Sequence, residues 1–214
     1  MPVEVLPLSP LEARVLAVLV EKEAVTPDAY PLSLNALVAG CNQKTSREPV
    51  MELSDRDVLA ALDGLRARSL AIESSGGRVM RYAENARRVL GVPKESVALL
   101  ATLMLRGPQT AAELRANCER LHRFSDVSAT EGFLDELAHR SPRPYVRLLS
   151  RLPGARESRW AHLLCGEPAL PEPSARARDP AEAVAVHDEL GALRERVERL
   201  ESEVAALREA MTRR

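Results

Sequence analysis

Chemistry-bearing side chains are sparse in this sequence, and their spacing decides what they could do. Cys41, Cys118 and Cys165 form no Cys-x-x-Cys pair, and His122, His139, His162 and His187 stand apart, so no metal-ligand spacing is present. Cys41 and Cys118 each fall on an apolar helical stripe, where a free cysteine acts as a small core residue. There is no phosphate-cradling P-loop, no Gly-x-Gly-x-x-Gly after a strand and no Gly-x-Ser-x-Gly elbow. Scattered Ser, His and Asp do not amount to a triad, which is a matter of geometry. The expectation is a non-enzymatic protein without a cofactor or metal.

Two sets of polar residues remain. The first is the stretch Asn42-Gln43-Lys44-Thr45-Ser46-Arg47-Glu48-Pro49-Val50, dense in donors and acceptors and without helical periodicity. On one reading Asn42, Gln43, Lys44, Thr45, Arg47 and Glu48 contact a ligand, a nucleic acid or a protein. On the other they bond to the loop's own backbone and shape the turn into the next helix. The second set is Arg78, Arg81, Arg147, Arg151, Arg156 and Arg159, the last beside Trp160. All fall on expected hairpins, where they could reach phosphate or could simply be solvated.

The elements that must position these residues have legible starts. Ser9-Pro10-Leu11-Glu12 is a capping box with Pro at the first helical position, followed by Leu11, Val15, Val18 and Leu19 at helical spacing. Leu34, Leu37, Val38 and Cys41 mark a short second helix. Ser54-Asp55-Arg56-Asp57 opens a third, with Val58, Leu59, Leu62 and Leu65 inward. Strands at 70–74 and 78–82 flank a tight Ser75-Gly76-Gly77 turn. The plan then repeats: a helix from Pro93 to Leu105, one opening at Thr110-Ala111-Ala112-Glu113, one opening at Ser128-Ala129-Thr130-Glu131, and strands 145–152 and 158–164 around Pro153-Gly154. Leu62-Asp63-x-Leu65-x-x-Arg68-Ser69 matches Leu134-Asp135-x-Leu137-x-x-Arg140-Ser141, and Leu37-x-Ala39-x-Cys41 matches Leu114-x-Ala116-x-Cys118. The two offsets differ, which assigns the polar loop 42–53 to an insertion in the first copy. Helix, helix, helix, hairpin is the winged-helix plan. The expected fold is mainly α (α+β): winged-helix domain 1 over 1–92 and winged-helix domain 2 over 93–165.

A proline-rich linker, 166–182, leads to a heptad over 183–214. Leu190, Val197, Val204 and Met211 take position a, and Val186, Leu193, Leu200 and Leu207 take position d, the pattern of a parallel two-stranded coil. Glu189–Arg194, Arg196–Glu201 and Glu203–Arg208 are opposite in sign across such a dimer. A homodimer is expected.

The formal net charge of −1 excludes a uniformly basic coat for nucleic acid. Residues 93–165 alone carry a basic surplus, 11 basic against 8 acidic groups. Both third helices are acidic: Asp55, Asp57 and Asp63 in the first, Glu131, Asp135 and Glu136 in the second, which disfavours insertion between phosphates. One Trp, three Tyr and two Phe are too few for a base-stacking platform. The longest near-apolar stretch, Val97 to Leu105, falls well short of the ~20 residues of a membrane helix. No signal-peptide pattern is visible, and three widely spaced cysteines fit a reducing cytoplasm.

Several of these segments resemble a known family. They are Leu11-Glu12-Ala13-Arg14-Val15, Tyr30-Pro31-Leu32-Ser33, Cys41-Asn42-Gln43-Lys44-Thr45, Arg47-Glu48-Pro49-Val50-Met51, Leu105-Arg106-Gly107, Phe124-Ser125-Asp126 and Arg159-Trp160. They are similar to the YceH family of uncharacterised bacterial proteins over about residues 8–166, with Trp160 where that family usually has Tyr. The resemblance implies a tandem winged-helix fold and no assigned activity. Two functions stand as expectations. One is a dimeric, DNA-associated or regulatory protein using the hairpin arginines and the 42–48 loop. The other is a protein–protein adaptor using its acidic helices.

Overall fold

Start signals in the sequence translate directly into helix ends. The computed structural model describes residues 7–74, 79–151 and 156–168. Helix α1 (Pro10–Val25) begins at Ser9, whose Oγ accepts from the Glu12 amide at 3.2 Å while the Glu12 carboxylate accepts from the Ser9 amide at 2.7 Å. Each such cap stabilises its helix by about 1 kcal/mol. A 3-10 turn at Pro27–Ala29 and a short strand β1 (Leu32–Ser33) lead into α2 (Leu34–Cys41), capped by Ser33. Helix α3 (Asp55–Ala67) opens on a Ser54–Asp57 box. Strands β2 (Ala71–Ser74) and β3 (Arg81–Glu84) follow. The sheet order is β1-β3-β2, antiparallel, with Leu32 opposite Tyr82 and Ala71 opposite Glu84.

The element order recurs. Helix α4 (Ala86–Leu90) is a link absent from the sequence expectation. It stops at Gly91, whose φ of +61° is left-handed backbone that suits glycine. Then come α5 (Lys94–Arg106), α6 (Ala111–Cys118) with its Thr110–Glu113 box, α7 (Val127–Ala138), β4 (Val146–Leu148) and β5 (Trp160–His162). Val146 pairs with His162 and Leu148 with Trp160. Gln109, immediately before the α6 cap, bridges to Trp160, as Leu32 before the α2 cap pairs with Tyr82.

Four local expectations are corrected. The expected Ser128–Glu131 box does not form. Asp126 caps α7 instead, accepting from the Ala129 amide at 2.7 Å, and Thr130 turns inward to the Asp126 carbonyl. Leu59 is 39 % exposed, and Ala61 takes the inward position beside Val58, Leu62 and Leu65. The second strand of the first hairpin lies at Arg81–Glu84 rather than 78–82. The second hairpin is shorter than expected, three residues a strand.

Helices α1 and α5 carry apolar residues all round, as fully buried helices do. Positions 12–20 of α1 and 96–105 of α5 are buried, and the two helices pack on each other. The described residues form one compact unit, and the buried apolar side chains of both halves make one core. The Leu8 amide donates to the Leu164 carbonyl at 2.7 Å, tying the start of the first half to the end of the second. The expected linker beyond residue 168 and the heptad from Val186 to Met211 lie outside the described residues.

Candidate interaction site

The inserted loop is held from within by two buried arginines. Arg47 is 5 % exposed. Its guanidinium donates to both Glu21 oxygens (2.6 and 3.2 Å), to the Gly40 carbonyl at the end of α2 (3.0 and 3.2 Å), to the Ser46 carbonyl and to Gln43 Oε1. Burial pushes the Glu21 carboxyl up, but the hydrogen bonds and charge of Arg47, with help from Lys22, outweigh it and hold Glu21 below the ordinary glutamate value. Asn42 closes the loop, with Nδ2 donating to the Leu53 carbonyl and Oδ1 accepting from the Leu53 amide, both at 2.8 Å. The loop also rests on α5: the Glu48 amide donates to the Leu105 carbonyl at 2.7 Å, and Arg106 donates to Ser46 Oγ at 2.6 Å.

Among the loop candidates, then, Asn42, Gln43 and Arg47 are spent on the loop itself. Lys44 is exposed and pairs with exposed Glu52 at 2.9 Å, a contact of small energy. Thr45 and the Glu48 side chain face solvent. Sequence reasoning missed the second buried arginine, Arg14, which donates to the Cys41 carbonyl (3.2 Å) and the Pro49 carbonyl (2.7 Å). Its signal was available: an arginine between Ala13 and Val15 in a stretch that is otherwise apolar must go inside or be solvated past a core face.

The hairpin arginines divide into two kinds. Arg81 donates to the Pro31 carbonyl at 2.7 Å, and Arg159 to the Pro108 carbonyl at 2.9 Å. The two prolines occupy equivalent places ahead of α2 and α6. Arg159 also grips Glu113 with two bonds, 2.8 and 3.0 Å. Arg147 pairs with Glu167. Arg151 and Arg156 are exposed and have no ion-pair partner among the described residues. Arg78 lies outside the described residues. No continuous run of unengaged basic side chains is brought together by these contacts.

The third helices differ in what they turn outward: α7 is acidic, whereas α3 mixes acidic, basic and apolar side chains. On α3 the exposed positions include Asp55, Arg56, Leu59 and Asp63, with Arg66 held by Asp63 and Glu73. On α7 they are Ser128, Glu131, Gly132, Asp135, Glu136 and the terminal His139. Exposed Ile72, Val79 and Met80 stand on the first hairpin, at 49, 57 and 41 % exposure. The thiols of Cys41 and Cys118 are buried in the core, and burial pushes them up to about 12 and about 11, so neither is a nucleophile near neutral pH. Among the described residues no group of three His, Cys, Asp or Glu could hold a metal ion. No described helix is long and apolar enough to cross a membrane.

Comparison with known proteins places this arrangement in a group. Residues 8–155 match the family described as "Protein of unknown function, DUF480". The chain is similar to a UPF0502 protein of Leptothrix cholodnii, 59 % identical over 207 residues that cover 96 % of this chain and 93 % of that one. A UPF0502 protein of Burkholderia pseudomallei is 57 % identical over 201 residues, covering 94 % and 85 %. One of Cupriavidus metallidurans is 56 % identical over 200 residues, covering 94 % and 82 %.

Proposed function

The chain belongs to the DUF480 family, and we propose for it a role carried by its surface: a cytoplasmic protein–protein adaptor built from two winged-helix units and paired into a homodimer by its heptad tail. The helix-helix-helix-hairpin order in both halves, with a strand or bridge ahead of each second helix, supports the winged-helix reading. One observation carries the choice of partner. A helix that reads duplex DNA turns Arg, Lys, Asn or Gln outward, whereas α7 turns out Glu131, Asp135 and Glu136 with no basic side chain in the helix, and α3 offsets Arg56 and Arg66 with Asp55 and Asp63. The α7 face repels phosphate and suits a protein surface bearing basic side chains. Exposed Leu59, Ile72, Val79 and Met80 add apolar anchors of the kind found in interface centres.

The test uses the full chain in two assays. Affinity capture from a bacterial lysate should recover one stoichiometric protein, lost with the double variant Leu59→Asp, Ile72→Asp, and no shift of a random duplex should occur at low salt. A duplex shift that fades steeply with salt and needs Arg151 and Arg156 would overturn the adaptor reading in favour of DNA association. Those two arginines, exposed on either side of the second turn, are the observation that supports that second reading. For the dimer, a chain ending at residue 181 should sediment as a monomer and the full chain as a dimer; equal masses would end that claim.

A further inference from the structure

Four charged side chains line one pocket of about 250 Å³ at the seam between the two halves: Glu23 on α1, Glu84 at the end of β3, Arg87 on α4 and Lys94 at the start of α5. Glu23, Arg87 and Lys94 are exposed and Glu84 is half-buried, so each presents atoms that a ligand can reach. Two are acids and two are bases, yet none of the four lies within 4.0 Å of an opposite charge among the described residues. Both signs of charge face the same space without neutralising each other.

The acids sit together. The Glu23 and Glu84 carboxyl groups are within hydrogen-bond reach of each other. Burial first, and then the charge of Glu23, push the Glu84 carboxyl above the ordinary glutamate value. What holds it down is the backbone amides of Ala86 and Arg87, not a side-chain cation. The neighbouring Tyr30 phenol is also pushed up, by burial first, with the charges of Glu23 and Glu84 adding to it. Two carboxylates this close repel, and a cation laid against them relieves that repulsion.

The rest of the wall is apolar, with Val20 from α1, Val97 from α5 and Leu121 from the turn after α6. The volume falls just below the range of about 300 to 1,000 Å³ usual for ligand pockets, which limits an occupant to roughly the size of one amino acid. The lining also selects among small molecules by charge. A metal ion would answer the acids and leave Arg87, Lys94 and the apolar wall unmet. A fatty acid would set its carboxylate among two others, and a plain amine would meet two cations with nothing to offer them. A zwitterion with a short hydrocarbon body satisfies all three parts.

We propose that this pocket binds a free α-amino acid with an aliphatic side chain, its ammonium against Glu23 and Glu84, its carboxylate against Arg87 and Lys94, and its hydrocarbon on Val97 and Leu121. Such a ligand touches α1 of the first half, the α4 link and α5 of the second, so it ties the halves together. None of the lining belongs to α3 or α7, and the inference goes beyond the adaptor reading without resting on it.

L-leucine is the probe. Isocaproate, which lacks the ammonium, and isoamylamine, which lacks the carboxylate, are its matched controls. Titrated into the full chain up to about 10 mM, leucine should bind saturably by calorimetry, and each control should bind at least ~10-fold more weakly. The double variant Arg87→Gln, Lys94→Gln changes exposed positions only, so its circular dichroism should match the wild type. Its leucine affinity should fall at least ~10-fold while isoamylamine binding does not fall. Glu23→Gln should weaken leucine and isoamylamine alike. Absence of saturable leucine binding, either control binding as tightly as leucine, or full leucine affinity in the folded double variant would each overturn the proposal.

Discussion

Arg47→Ala is the most informative single substitution in this protein. It deletes six hydrogen bonds. It also leaves Glu21, whose side chain is 15 % exposed, with only Lys22 at 3.3 Å. Breaking a buried pair from one side costs roughly 3–5 kcal/mol, because the surviving charge keeps its desolvation penalty. In a domain of this size each kcal/mol lowers Tm by roughly 2–4 °C, so the expected fall is roughly 6–20 °C. Arg47→Lys should recover less than half of the loss, since an ammonium is a point donor and cannot serve Glu21, Gly40 and Gln43 together. Adding Glu21→Gln to Arg47→Ala should restore at least ~1 kcal/mol, the coupling expected of direct partners. Urea unfolding followed by circular dichroism measures all three. The sign with pH follows from the depressed Glu21 pKa: the pair's contribution is complete above about 4.5 and disappears as pH falls through the lower folded value. The wild type should therefore lose part of its advantage over Arg47→Ala in strong acid, keeping the share that comes from Gly40, Ser46 and Gln43. A loss below ~1 kcal/mol at neutral pH, the size of an ordinary surface substitution, would refute the account of the loop as bolted from inside and return Arg47 to the list of contact residues.

Two further substitutions probe the packing. His162 stays neutral in the fold to about pH 4 but takes a proton near 6.5 when unfolded, so stability should drop by about 3 kcal/mol as pH falls across that window; His162→Phe should flatten this slope in urea midpoints taken from pH 7 to 4, and an unaltered slope would show that the imidazole is not held neutral by its surroundings. Gly40→Ala places a Cβ 2.6 Å from Val18 Cγ1, where α2 meets α1, and should cost roughly 1–3 kcal/mol despite the better helix propensity of alanine; a stabilised variant would mean that the two helices separate easily.

Much of the scaffold was legible because it rests on local rules. Capping at Ser9, Ser54 and Thr110 involves residues three apart, and the buried stripes Val58–Leu62–Leu65 and Leu134–Leu137 follow helical period. The α7 cap was misread because Asp126 and Ser128 both precede an apolar run, and only the inward turn of Thr130 decides between them. In the second hairpin, cross-strand bonds continue one residue past the regular strands, from the Leu149 amide to the Arg159 carbonyl and from the Leu163 amide to the Tyr145 carbonyl, both 2.8 Å, so alternation there extends the expected strands beyond the regular ladder. The candidate site was legible as a location and opaque as a mechanism. Glu21 lies 26 positions from Arg47, and nothing in the spacing announces that pair.

The recurring element order offers an internal control for separating scaffold from recognition. Arg81 and Arg159 sit on matching strands and donate to matching proline carbonyls. Arg68 and Arg140, equivalent in the repeated Leu-Asp-x-Leu-x-x-Arg-Ser motif, both reach back toward the first helix of their own half. Arg68 bonds Glu12 at the start of α1, and Arg140 bonds the Leu90 and Gly91 carbonyls just ahead of α5. A residue doing the same job in both halves is doing it for the fold, which gives each of these arginines a structural role. What differs between copies is free to recognise something. At the repeat offset that pairs Leu62 with Leu134, exposed Leu59 meets exposed Glu131, while Asp63 meets Asp135. The α7 face is acidic, whereas α3 offsets Asp55 and Asp63 with Arg56 and Arg66 and adds the apolar Leu59. An adaptor with two unlike faces can take different parts of a partner on its two halves, a division of labour that a symmetric pair of DNA half-sites would not require.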